Sequence, residues 1–136
     1  MAGLACLGAA GAGPAMAVAP SAGAGGWGQA IQVPGTAALN KGGNANITSV
    51  SCPAAGSCAA VGFYHAGSGR GQAFVVTETN GRWRTAIKVP GLAALNGGSS
   101  DITSVSCTAA DSCAAIGDYV DGSSHLGHAF VVSKRG

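Results

Sequence analysis

The chain has 136 residues, of which 47% are hydrophobic, 5% aromatic and only 9% charged, with a formal net charge of +2. Soluble domains carry about 25% charged residues, so the groups that acid–base catalysis and phosphate recognition draw on are scarce. Seven scattered Lys and Arg exclude a nucleic-acid footprint, and the length suits one domain.

Residues 1–26 are almost entirely Ala, Gly, Leu, Met, Val, Pro and Ser. Leu4 to Ala12 forms a short apolar run, and Ala15-Met16-Ala17 matches an A-x-A cleavage site. The segment is expected to be a signal peptide, the alternative being an Ala/Gly-rich low-complexity leader. It contains no uninterrupted apolar stretch of membrane-spanning length, because Gly and Pro14 break it. No membrane span is therefore expected.

From Trp27 onward one unit is written twice. Trp27-Gly-Gln-Ala-Ile31-Gln-Val33-Pro34-Gly35 returns as Trp83-Arg-Thr-Ala-Ile87-Lys-Val89-Pro90-Gly91, and Ile47-Thr-Ser-Val-Ser-Cys52 returns as Ile102-Thr-Ser-Val-Ser-Cys107. Ala73-Phe74-Val75-Val76 returns as Ala129-Phe130-Val131-Val132. The offset is 56, slipping to 55 between Asn46 and Tyr64.

Within each unit the apolar period is two, which specifies strands rather than helices. Strands are expected at 47–52, 58–64, 72–78 and 82–89, with Asn80-Gly81 as a tight hairpin turn. Glycine falls too often for a helix of useful length. The fold class is all-β, with residues 27–136 as a two-repeat domain whose units run at about 47–89 and 102–133 plus 27–33. A four-stranded antiparallel unit in tandem describes a β-propeller blade; the alternative is a duplicated β-sandwich. Strand 27–33 is placed to complete the second unit. Two blades cannot close a ring, so the propeller reading implies a homo-oligomer or further blades in a longer protein.

Cys52/Cys58 and Cys107/Cys113 are equivalent Cys-x5-Cys pairs at the ends of adjacent strands. That position lets them bridge as disulfides, each contributing roughly 2–2.5 kcal/mol on the chain-entropy model. Zinc sites favour closer ligand spacing and four gathered ligands. Disulfides place the chain outside the cytoplasm, extracellular or at the cell surface.

The run Ser49-Val50-Ser51-Cys52, Ser57-Cys58-Ala59-Ala60-Val61-Gly62-Phe63-Tyr64, Phe74-Val75-Val76 and Asn80-Gly81-Arg82-Trp83 resembles secreted actinobacterial tandem repeats with a VSC…CxAVGxY…NGxW pattern. Those repeats look like sialidase-type (BNR-like) propeller blades. The resemblance covers nearly all of 27–136 and implies a propeller fold, with no catalytic role attached. Thr77 to Trp83 is reminiscent of an Asp-box but has Thr79 where the Asp belongs.

No catalytic residues are assigned. Glycoside hydrolysis needs two carboxylates across the scissile bond, and Glu78 has no acidic partner in its own unit; a degenerate sialidase-type hydrolase is the weaker alternative. His125, His128, Asp118 and Asp121 form the one ligand-like cluster, without a counterpart in the first unit, and no metal is assigned to it. Gly67-Ser-Gly69-Arg-Gly71 lacks the Lys-Ser/Thr ending of a phosphate loop, so no cofactor is expected. What remains is a non-enzymatic module for binding or structure at the cell surface, or an oligomeric lectin-like protein. A glycan or cell-wall polysaccharide is the expected partner, with Tyr64, Tyr119, His125 and His128 as the candidate ligand contacts.

Overall fold

The computed structural model describes residues 26–95 and 97–135. The leader before Gly26 lies outside them, and so does the signal-peptide reading. The chain divides into Met1–Gln32 and Val33–Gly136. Of the first unit, residues 27–32 contain no strand and leave Trp27 and Ile31 exposed. The expected strand over 27–33 is therefore absent among the described residues.

The second unit is all-β. A one-turn helix α1 (Thr36–Leu39) precedes β1 (Ala45–Ala54), β2 (Ser57–His65), β3 (Gly71–Thr79), β4 (Arg82–Trp83) and β5 (Ile87–Lys88). A second turn, α2 (Leu92–Leu95), leads into β6 (Ser100–Ala109), β7 (Ser112–Val120) and β8 (Gly127–Arg135). The first five strands form one antiparallel sheet in the order β1-β2-β3-β4, with β5 also on β3; the last three form a second, β6-β7-β8.

The strands extend past the expected limits because the turns are tighter than the loops read from the sequence. β1 and β2 stay paired to Ala54↔Ser57, and β6 and β7 to Ala109↔Ser112, leaving two residues in each turn. Asn80 and Gly81 take φ of 53° and 78°, the left-handed pair that a two-residue hairpin demands.

The expected single strand 82–89 is split in two. Arg82 and Trp83 pair with Thr79 and Glu78, and Ile87 and Lys88 with Val75 and Phe74. Between them the Ala86 N–H turns away to donate to the Pro34 carbonyl at 2.8 Å. A partner from another segment thus takes the donor that a continuous ladder would have used.

Each sheet has two faces, set by strand alternation. In the first sheet, one face carries Ser49, Val61 and Val75 in line, with Ala59 and Ala73; the other carries Val50, Ala60 and Val76, with Tyr64 and Phe74. The second sheet repeats this in register, with Ser104, Ile116 and Val131 on one face and Val105, Ala115 and Val132 on the other.

Two cores result. Ala59, Val61 and Ala73 of the first sheet pack with Val89, Leu92, Ile102, Val105, Ala115 and Phe130 to join the sheets. Behind the first sheet, Ala60, Tyr64, Phe74, Val76 and Ala86 form a separate cluster with Val33, Leu39 and Trp83 against it.

The edge of β6 is sealed by hydroxyls rather than by a strand. Val105 N–H donates to Ser49 Oγ at 3.2 Å and Cys107 N–H to Ser51 Oγ at 3.0 Å, while Thr48 Oγ1 donates to the Ile102 carbonyl at 2.6 Å. Such bonds satisfy edge groups that would otherwise be buried unpaired. Both disulfides are formed, Cys52–Cys58 and Cys107–Cys113, with Cα atoms 4.0 Å apart in each. Each staples the hairpin that supplies an edge strand, β1 or β6.

Candidate functional site

Among the described residues, clefts open where the two sheets part. The first, about 250 Å³, is lined by Ala59, Val61, Val75, Ile87, Val105 and Val132 among others and is almost wholly apolar. With so few polar groups to orient a ligand, it is a gap between splayed sheets.

The second, about 280 Å³, lies where β2 ends and β6 begins. Phe63 and His65 line it from the first sheet, with Ser100, Asp101 and Asp118 from the second. Phe63 and His65 stand 6.1 Å apart between ring centroids, two positions along one strand and hence on one face. Asp101 and Asp118 are direct cross-strand partners. Cross-strand partners of an antiparallel pair share one face. Asp101 Oδ1 accepts the Ile102 N–H at 2.8 Å, which fixes that carboxylate; Asp118 is exposed.

The residues expected from sequence to contact a ligand divide sharply. Tyr64 is buried, 2% exposed, with its ring 6.3 Å from Phe74 in the rear core. Burial raises its phenol pKa above the ordinary value. Its ring is part of the rear core, against which Val33, Leu39, Ala66 and Trp83 pack. Tyr119 is half-buried and stacks on His128, with centroids 5.2 Å apart and planes at 29°. The pair sits directly across the β7–β8 ladder, and Tyr119 lies between two residues that line the polar pocket, Asp118 and Val120.

His125 is exposed with φ 59° in the turn after β7, its N–H bonded to the Asp121 carbonyl at 2.7 Å. Asp121 Oδ1 is taken up by that turn, accepting from Ser123 N–H at 2.8 Å and Ser123 Oγ at 2.7 Å. These bonds hold its carboxyl below the ordinary range. The Asp118–Asp121–His125–His128 cluster is thus a turn beside an aromatic stack. Among the described residues no three His, Cys, Asp or Glu side chains are gathered as a metal ion requires.

His65, Asp101 and Phe63 belong to no motif in the sequence that points to a ligand. None has a counterpart of its own type in the other repeat unit, and the pocket exists only because the second sheet docks beside the end of β2. Nothing local in the sequence announces that juxtaposition.

Glu78 faces Cys58 and Trp83 across the ladder, so no carboxylate stands opposite it. Burial raises its pKa above the ordinary value. A raised folded-state pKa favours the fold below the ordinary value, and that contribution is lost as pH rises through the folded value. Glu78→Gln is accordingly expected to raise the urea midpoint at neutral pH, with the gap closing at pH below the ordinary glutamate pKa. Denaturation curves at the two pH values check it.

Among the described residues no helix is long and apolar enough to cross a membrane. No family model, curated protein or solved structure matches the chain.

Proposed function

We propose that this chain is a non-enzymatic, extracytoplasmic β-repeat module of propeller-blade type that binds a glycan at the polar pocket between its sheets. The carrying observation is the convergence of Phe63, His65, Asp101 and Asp118 on one small cleft. Sugars present hydroxyl donors that carboxylates accept and an apolar ring face that an aromatic side chain covers. A cleft of about 280 Å³ is at the small end of ligand sites, so it takes one ring, a terminal or branch residue of a polysaccharide. The two disulfides and their oxidising requirement support the extracytoplasmic address.

The blade reading is favoured over a duplicated sandwich by which faces meet. Two sheets related by a two-fold axis bury the same face of each. Here Val61 is 1% exposed while its repeat equivalent Ile116 is 50% exposed, so unlike faces meet, as in blades stacked around an axis.

Retention of the oxidised full chain on a glycan panel tests the function. Asp118→Asn removes a charged acceptor and is expected to weaken retention at least ~10-fold, as loss of a hydrogen bond to a charged group does. Asp111→Asn, on the remote β6–β7 turn, is expected to leave it unchanged. Absence of wild-type retention on any glycan overturns the reading.

A further inference from the structure

The interface between the two sheets joins unlike faces, so each sheet retains one face that its repeat equivalent has already used. On the second sheet, Ile116 and Val131 are 50% and 76% exposed and sit side by side as cross-strand partners. Their equivalents on the first sheet, Val61 and Val75, form the wall on which the second sheet packs. On the first sheet, Ile47 and Val50 are 44% and 56% exposed; their equivalents Ile102 and Val105, at 0% and 8%, are what the second sheet inserts into that wall.

The polar groups show the same unmatched halves. Thr48, Ser49 and Ser51 of β1 bond the edge of β6. Thr103, Ser104 and Ser106 of β6 repeat them and are exposed. β1 is itself an edge strand; its Val50 stands at the register position of Val105, and its Cys52 is the sequence repeat of Cys107.

We infer that a second copy of this chain docks head to tail. Its β1 edge and Ile47–Val50 surface meet the Ser104/Ser106 and Ile116/Val131 face of the first, reproducing between chains the contact made within each. The occupant follows from continuity with the internal interface, since each free surface is the sequence repeat of a surface already buried against its complement. The contact is heterologous, so assembly propagates until it closes or runs on. It is also weaker than its internal template. Arg70 and Gln72 bond the Gly97 and Gly98 carbonyls and Ser100 accepts the Ala73 N–H, whereas Leu126, His128 and Ala45 occupy the repeat-equivalent positions.

Light scattering coupled to size exclusion on the oxidised full chain, across micromolar to millimolar loading, is the test. The wild-type mass is expected to rise with concentration through multiples of the chain mass. Val131→Asp blocks one face and Val50→Asp the other, and each variant alone is expected to run as a single chain. Mixed in equal amounts they retain one intact face apiece, so a two-chain species and nothing larger is expected. Circular dichroism confirms that each is folded; Ile116→Lys and Ile47→Lys serve in place of one that is not. A wild type that stays single-chain at millimolar loading overturns the inference. So does a mixture that fails to pair, or a Val50→Asp chain that associates as the wild type does.

Discussion

Ile102→Ala is expected to cost about 2–5 kcal/mol of stability, the range for truncating a fully buried aliphatic side chain, whereas the same change at Ile47 should cost about 1 kcal/mol or less. The two isoleucines open identical Ile-Thr-Ser-Val-Ser-Cys segments, so intrinsic propensity, local sequence and strand position are matched. Only tertiary setting differs. Ile102 has no exposed surface and lies in the core that joins the sheets, with its carbonyl accepting Thr48 Oγ1 at 2.6 Å. Alanine there leaves a void in that core that the backbone cannot collapse to fill, because β6 is tethered to β1 by the serine hydroxyls. Ile47, 44% exposed, has water on one side already, and truncation removes only partial burial. Urea denaturation of both variants in dilute solution, where chains do not associate, measures the difference. Equal costs would mean that the sheets do not pack through unlike faces.

That asymmetry was the part of the fold the sequence could not show. Period-two alternation, the recurrence of Trp, Pro-Gly and Cys, and the Asn80-Gly81 pair made the strands, their antiparallel order and that turn readable, because each is a local property of the backbone. The cysteine pairs were readable for the same reason: six residues apart across a hairpin, they have few other partners. A repeat, however, says that two units are alike and not which face of one meets which face of the other. Phe63 and Asp118 occupy equivalent positions, yet both line one pocket because the second sheet is shifted onto the end of the first. Tyr64 and Tyr119 are the reverse case, identical in sequence and different in use. The first is buried in the rear core, while the second, partly buried, stacks on His128. Trp83 pairs at the end of β3, whereas its sequence twin Trp27 lies in no strand.

Gly62→Ala and Gly117→Ala should each destabilise by about 3 kcal/mol, the upper end for overpacking a closed site. Both glycines come from the repeated Ala-Val/Ile-Gly segment, and neither has a positive φ, so the requirement is space rather than backbone conformation. A Cβ on Gly62 would land on the Asn46 carbonyl, and one on Gly117 on the Asp101 carbonyl. Each obstacle is main chain of the neighbouring strand, which cannot rotate away as a side chain could. At both places the ladder shifts register, between Ile47 and Ser49 and between Ile102 and Ser104. The bulge draws the edge strand over the glycine. Alanine would push β1 or β6 outward and break pairing at Asn46↔Phe63 or Asp101↔Asp118. At Gly117 a second consequence follows. Asp101 and Asp118 both line the polar pocket, as does Phe63, so Gly117→Ala, which displaces two lining residues, should weaken glycan retention more than Gly62→Ala, which displaces one, while the chains are still folded. Denaturation midpoints and retention measured on the same two variants separate the effects. A Gly117→Ala chain as stable as the wild type would mean that the edge strand rides higher over the glycine than this packing requires.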